Sequence, residues 1–119
     1  MGLEITHGAF SGTYHRFDRL RKALCERACG GQWPDEHAAE WFFEPEIVPE
    51  AYRHGMKVLL NHADHEGVVE GADLVEMLDF LLWAVPHLKR DGGQVYEDAK
   101  RMLNGARRAV LAKSSLEFL

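Results

Sequence analysis

The segment KVLLNHADHEGVVEGAD, residues 57–73, joins two apolar stretches and decides how the rest of the chain is interpreted. Val58-Leu59-Leu60 ends one apolar stretch, and a strongly apolar helix is predicted to follow from about Leu74. Between them lies a concentration of side chains that bind metal ions: Asn61, His62, Asp64, His65 and Glu66. Gly67 then interrupts the chain. The segment therefore predicts two helices joined by a loop that carries the chemistry.

Length and composition predict one domain spanning residues 1–119, with enough hydrophobic residues (46%) for a real core. The net charge of -5 argues against a nucleic-acid partner, since that class is usually basic. No run approaches the roughly 18 apolar residues of a membrane span, and no secretory signal is visible. Cys25 and Cys29 are four apart in a helical pattern, which is typical of reduced thiols. We therefore expect a cytoplasmic protein without a membrane partner.

Apolar residues spaced three and four apart predict a mainly α fold of four to five helices. The helices are expected from about Thr13 to Gly30, from Asp35 to about Phe43, from Tyr52 to Leu60, from Ala72 to Leu88, and from Val95 to Val110. Pro86 should kink or end the fourth, and Asp73 with Glu76 resembles a capping box at its start. Both ends of the chain alternate apolar and polar residues. This alternation predicts a short two-stranded ribbon that pairs Leu3–Thr6 with Leu116–Phe118.

Two clusters of side chains outside the loop carry expectations of their own. The first helix bears five cations interrupted by acids, which predicts a solvated face: Arg16, Arg19, Arg21, Lys22 and Arg27. Four aromatic residues crowd a short segment that a small core has little room for: Trp33, Trp41, Phe42 and Phe43. We expect these aromatic residues to form an exposed surface for a protein partner.

Calcium is one candidate for the loop, because the spacing resembles an EF-hand. With His62 at position one, the remaining positions are Asp64 at three, Glu66 at five, Gly67 at six, Val69 at eight, Glu70 at nine and Asp73 at twelve. The match departs at position one, where a hard cation prefers a carboxylate oxygen. Asp73 is also shorter than the usual glutamate.

A transition metal is a second candidate, because His62, Asp64 and His65 suit zinc or a similar ion. His7 would add a ligand if the N-terminal strand packs nearby. Such a site would also suit a metal-dependent hydrolase with Glu66 as the base. The run from Leu60 to His65 is similar to the signature of metallo-β-lactamase-fold hydrolases, but Leu60 replaces the first histidine. A third interpretation is purely structural: these polar side chains bond backbone groups at helix ends.

Two segments together resemble a family of small uncharacterised bacterial and phage proteins. His7-Gly8-Ala9-Phe10-Ser11-Gly12-Thr13-Tyr14 is similar to their opening, followed here by Phe17, Arg19 and Arg21. Leu59-Leu60-Asn61-His62-Ala63-Asp64-His65-Glu66-Gly67 is similar to their second motif, in which His65 is often cysteine and Glu66 is aspartate. The resemblance implies an accessory role in a phage or its host, and no reaction.

These observations favour a small non-enzymatic interaction or regulatory module, phage- or prophage-encoded. Its expected partner is a protein, with a second copy of the chain as an alternative. The loop at residues 62–66 is stabilised by hydrogen bonds or by a divalent metal, zinc or calcium. The metal-dependent hydrolase and the EF-hand-like calcium-binding module stay open as alternatives.

Overall fold

The computed structural model describes residues 2–29, 48–60, 67–89 and 92–119. In these ranges the helices are α1 (Tyr14–Cys29), α2 (Arg53–Leu60), α3 (Gly71–Ala84) and α4 (Gly93–Leu111). The strands are β1 (Gly2–Ile5), β2 (Phe10–Thr13), β3 (Val68–Val69) and β4 (Leu116–Glu117). The mainly α fold predicted from the sequence is confirmed. The predicted helix at residues 35–43 and the aromatic residues Trp33, Trp41, Phe42 and Phe43 lie outside the described residues.

An antiparallel hairpin of β1 and β2 opens the chain, with Leu3 opposite Gly12 and Ile5 opposite Phe10. Its turn is closed by the Ala9 amide, which donates to the Thr6 carbonyl at 3.2 Å. Both central residues have positive φ angles, 62° at His7 and 69° at Gly8, which is the type I′ pattern that suits the twist of a hairpin. Strand β2 was not predicted, because Gly8 and Gly12 interrupt the apolar alternation that identifies a strand.

The C-terminal strand lies against the other edge of β1. Glu4 and Leu119 exchange two backbone hydrogen bonds, and the Thr6 amide donates to the Glu117 carbonyl at 3.1 Å. Ile5 and Phe118 form an antiparallel bridge. The predicted ribbon between the termini is therefore confirmed. The two-stranded sheets β1–β2 and β3–β4 are joined by this bridge and by these backbone hydrogen bonds.

Thr6 joins the hairpin turn to the C-terminal strand. Its carbonyl accepts the turn-closing bond from Ala9, and its hydroxyl accepts a 2.9 Å bond from the Glu117 amide. The same hydroxyl donates to the Ser115 carbonyl at 3.4 Å. The hydroxyl thus continues the ladder at the point where the main chain of Thr6 turns away.

One hydrophobic core lies between the strands and the helices. Phe17 of α1 contacts Phe10 and Phe118, with ring centroids 5.1 and 6.1 Å apart. Helix α3 buries residues on more than one side, as predicted for a central helix: Leu74, Met77, Leu78, Phe80, Leu81 and Ala84. It ends at Ala84, and Pro86 lies in a 3₁₀ turn over Val85–Leu88, so the predicted break at Pro86 is confirmed.

In the described ranges, no helix is both long enough and apolar enough to cross a membrane. Cys25 is a buried thiol outside any disulfide, as predicted.

Candidate functional site

The predicted metal ligands His62, Asp64 and His65 fall in the segment 61–66, which lies outside the described residues. The chain is described on both sides of this segment. Before it, α2 ends with Leu59 and Leu60 in the core, where they are 0% and 1% exposed. After it, Gly67 enters the strand region. The segment therefore begins and ends at residues that are held by packing or by backbone hydrogen bonds.

Gly67 and Val69 hold the outgoing side of the segment. Gly67 has a φ of 109°, a conformation that glycine adopts without steric cost. Its carbonyl accepts a 2.9 Å hydrogen bond from the Phe118 amide. Val69 is 2% exposed and lies opposite Leu116 in the β3–β4 pair. In the EF-hand frame these residues are the sharp-turn glycine at position six and the apolar residue at position eight.

Helices α2 and α3 cross closely at Gly55. A Cβ atom at this position would overlap with the backbone carbonyl of Glu76 on α3. By local propensity, glycine at this position only weakens the helix. The structure shows why a glycine occupies this position: without a side chain there, α2 and α3 can pack backbone to backbone.

Asp73 has a different role from the predicted one. Helix α3 begins at Gly71 with Glu70 at the N-cap position, and Glu70 makes no side-chain capping bond. The predicted capping box is therefore wrong, because Asp73 is the third residue of the helix and its carboxylate faces α2. Its Oδ1 lies 2.8 Å from His54 Nε2, and Glu76 Oε2 lies 3.8 Å from the same nitrogen. These groups are about half exposed, and they connect the two helices at the surface.

His7 occupies the hairpin turn, where its carbonyl accepts two hydrogen bonds from Arg108 of α4, at 3.0 Å from Nε and 2.6 Å from Nη2. The strand register places Gly67 level with Ile5, because both lie opposite Phe118. His7 continues past Ile5 towards the Val69 end of β3, whereas the segment 61–66 precedes Gly67. The participation of His7 in a metal site stays a prediction.

An ion pair between a partly exposed arginine and a buried carboxylate joins α1 to α4, and the sequence alone did not predict it. Arg16 donates two hydrogen bonds to Asp98, from Nε to Oδ2 and from Nη2 to Oδ1, both 2.9 Å long. Asp98 is 1% exposed, and its Oδ1 also accepts a 2.9 Å bond from Gln94. Arg16 further donates to the Ser11 carbonyl on β2 and lies over the Phe10 ring. The cluster holds hairpin, α1 and α4 together.

The prediction of a solvated cationic face on α1 is only partly correct. Arg19 and Lys22 are exposed, as predicted. Arg16 is bound to Asp98, and Arg21 is 6% exposed with its guanidinium 4.6 Å from the centre of the Phe17 ring. Long aliphatic stems and contacts with rings allow arginine to be buried. The helical period places Arg21 on the same face as Phe17 and Leu24, and this placement would have predicted that Arg21 is buried.

Among the described residues, no three histidine, cysteine, aspartate or glutamate side chains form a group that could hold a metal ion. No family model, no curated protein and no solved structure matches this chain. The resemblance to small bacterial and phage proteins therefore stays a prediction.

Proposed function

We propose that this chain is a small non-enzymatic interaction or regulatory module whose α2–α3 unit binds a divalent cation in the loop between the helices. The observation that carries the proposal is the pairing of β3 with β4. It places the buried Val69 opposite Leu116 in an antiparallel pair, two residues after Gly67, whose φ is positive. Gly67 and Val69 therefore have the features that an EF-hand loop requires at positions six and eight, a sharp-turn glycine and a buried apolar residue.

The sequence shows a single helix–loop–helix unit without a second one to pair with it, and the C-terminal strand supplies that pairing instead. Here β4 pairs with β3, and Phe118 donates to the carbonyl of Gly67. The outgoing side of the loop is supported from within the chain, so this unit needs no second EF-hand to hold its strand.

Calcium is the cation that this frame favours. Asp64 and Glu66 supply carboxylates at positions three and five, and Asp73 does so at position twelve. Because His62 replaces a carboxylate and Asp73 is bonded to His54, we expect weak binding, with a Kd of about 10⁻⁴–10⁻³ M. A zinc site built from His62, Asp64 and His65 is the competing assignment.

A binding role rather than catalysis is supported by the way the described buried charges are used. Asp98 accepts bonds from Arg16 and Gln94, and Arg16 also bonds to Ser11. These groups hold secondary-structure elements together. An accessory role of the kind that the family resemblance implies is consistent with this use.

Isothermal titration calorimetry with calcium and, separately, with zinc tests the proposal, on protein purified without a histidine tag. We expect one calcium per chain, with binding abolished in Asp64→Asn and weakened in Asp73→Asn. Glu97→Gln, an exposed acid on α4, serves as the control and should bind like the wild type. Zinc binding without calcium binding would replace the calcium assignment with the His62–Asp64–His65 site. The absence of heat with both ions would overturn the proposal.

A further inference from the structure

Strand β4 is bonded directly to the residues that follow the segment 61–66. The Phe118 amide donates to the Gly67 carbonyl at 2.9 Å, and Leu116 lies opposite Val69. Leu116 and Val69 are 0% and 2% exposed, so this pair is also packed in the core. In the EF-hand frame Gly67 and Val69 are positions six and eight. Strand β4 therefore fixes the backbone at two positions of the proposed cation-binding loop.

The same strand is bonded to the N-terminal segment. The Glu117 amide donates to the Thr6 hydroxyl at 2.9 Å, and the Glu117 carbonyl accepts a bond from the Thr6 amide at 3.1 Å. Glu4 and Leu119 exchange two further backbone bonds, of 3.5 and 2.8 Å. The hydroxyl of Thr6 thus contributes to the position of β4 without belonging to the loop.

Few bonds hold β4, because it spans only Leu116–Glu117. An element held by few hydrogen bonds opens locally at a lower free-energy cost than the whole domain unfolds. When β4 opens, the Gly67 carbonyl loses its donor and Val69 loses the residue opposite to it. An ion-binding loop that depends on these two residues loses its support in the open form.

We propose that β4 regulates the cation site, because ion binding in the loop and the pairing of β4 with β3 stabilise each other. This inference rests on the proposed function and assigns the regulation of that site. If only the form with β4 paired binds the ion, the ion shifts the equilibrium towards that form. By thermodynamic reciprocity, every contact that holds β4 in place then raises the affinity for the ion.

A calcium titration monitored by NMR measures the first half of this coupling. Leu116→Ala removes the side chain opposite Val69 and should raise the Kd for calcium about fivefold or more. Leu24→Ala makes the same change at a fully buried position of α1 and is the control for a general loss of stability. It should keep the wild-type Kd. Should either variant fail to fold, Leu116→Val and Leu24→Val replace the pair.

Hydrogen exchange in Thr6→Val measures the second half. Loss of the hydroxyl weakens the hold on β4, so the Phe118 amide should exchange through local opening of this strand. Calcium at one hundred times its Kd should slow that exchange by up to about 100-fold, because only the paired form binds the ion. The Lys89 amide, in the 3₁₀ turn after α3, is the control and should exchange equally fast with and without calcium.

The cation site and its regulation by β4 fail in different ways. A wild type that binds neither calcium nor zinc overturns both, and zinc takes the place of calcium in both measurements if the wild type binds zinc instead. An unchanged Kd in Leu116→Ala, an equal loss of affinity in Leu24→Ala, or exchange of the Phe118 amide that the ion does not slow would each overturn the regulation and leave the cation site standing.

Discussion

Arg16 and Asp98, 82 residues apart in the chain, face each other through two parallel hydrogen bonds of 2.9 Å. The carboxylate is 1% exposed and the arginine side chain 29% exposed, so the pair closes the core at its edge. Arg16 also donates to the Ser11 carbonyl of β2. One guanidinium group thus connects the hairpin and α1 to the last helix, and its removal would leave a buried charge.

Arg16→Met should lower the free energy of unfolding by about 3–5 kcal/mol, because it leaves Asp98 buried and without its cation. Urea denaturation measures the change. Arg19→Met, at an exposed position of the same helix, should change stability by no more than about 0.5 kcal/mol. The double variant Arg16→Met/Asp98→Leu should be more stable than Arg16→Met alone, since no charge is then left unpaired. Equal losses in the two arginine variants would contradict this assignment.

Gly55→Ala should destabilise the protein, although alanine is the better helix former by about 1 kcal/mol. The added Cβ would overlap with the Glu76 carbonyl, and forcing α2 and α3 apart should cost about 1–3 kcal/mol. Thermal unfolding monitored by circular dichroism gives the sign directly. Lys57→Ala, an exposed substitution on α2, is the control. A melting temperature raised by Gly55→Ala would show that the helices do not approach as closely as described.

Thr6→Val keeps the shape of the side chain and removes its hydroxyl. The Glu117 amide and the Ser115 carbonyl then lose their partner, which should cost about 1–2 kcal/mol. Thr6→Ser retains the hydroxyl and should stay close to the wild type. Hydrogen exchange monitored by NMR should show faster exchange of the Glu117 amide in Thr6→Val only. Unchanged exchange would mean that the hydroxyl does not support β4.

Four alanine variants of the loop separate the interpretations of its chemistry. From the sequence we predict that His62→Ala and Asp64→Ala each cost about 1–3 kcal/mol, the usual penalty for orphaning a buried polar partner. His65→Ala and Glu66→Ala should stay within about 0.5 kcal/mol if the loop is held by hydrogen bonds alone. If calcium binds in the EF-hand frame, Glu66→Ala should also lower the stability by a similar amount. If zinc binds, His65→Ala should do so instead.

A chelator should lower the melting temperature of the wild type in the presence of the bound ion. A ligand at one hundred times its Kd stabilises a folded protein by about 2.7 kcal/mol, so calcium in that excess should raise the melting temperature and the chelator should reverse the rise. Asp64→Asn should show neither effect. Identical melts of the wild type with and without calcium would remove the calcium assignment.

Local pattern alone predicted most of the helical architecture. The spacing of apolar residues located α1, α2, α3 and α4 to within a few residues, because a helix satisfies its backbone internally and needs one apolar face for packing. The helix break at Pro86 and the extended strands at the chain ends were also predictable, since both depend on neighbouring residues in the sequence. The loop chemistry at residues 62–66 was predicted from residue type.

Only the tertiary structure revealed the features that join distant parts of the chain. Whether Arg16 is solvated or paired depends on Asp98, which lies on a different helix. The charge pattern of α1 alone therefore predicted a solvated face, although Arg16 is paired with the buried Asp98 carboxylate. Local propensity gives no reason for a glycine inside α2, whereas the tertiary structure does, because the Glu76 backbone occupies the space that a side chain at Gly55 would need. Strand β2, Phe-Ser-Gly-Thr, has no apolar alternation and β3 has only two residues, so local pattern predicts neither. Both form because β1 and β4 present backbone donors and acceptors to them. Sequence period determines which local elements form, whereas the pairing of groups far apart in the chain is decided by the core that brings them together.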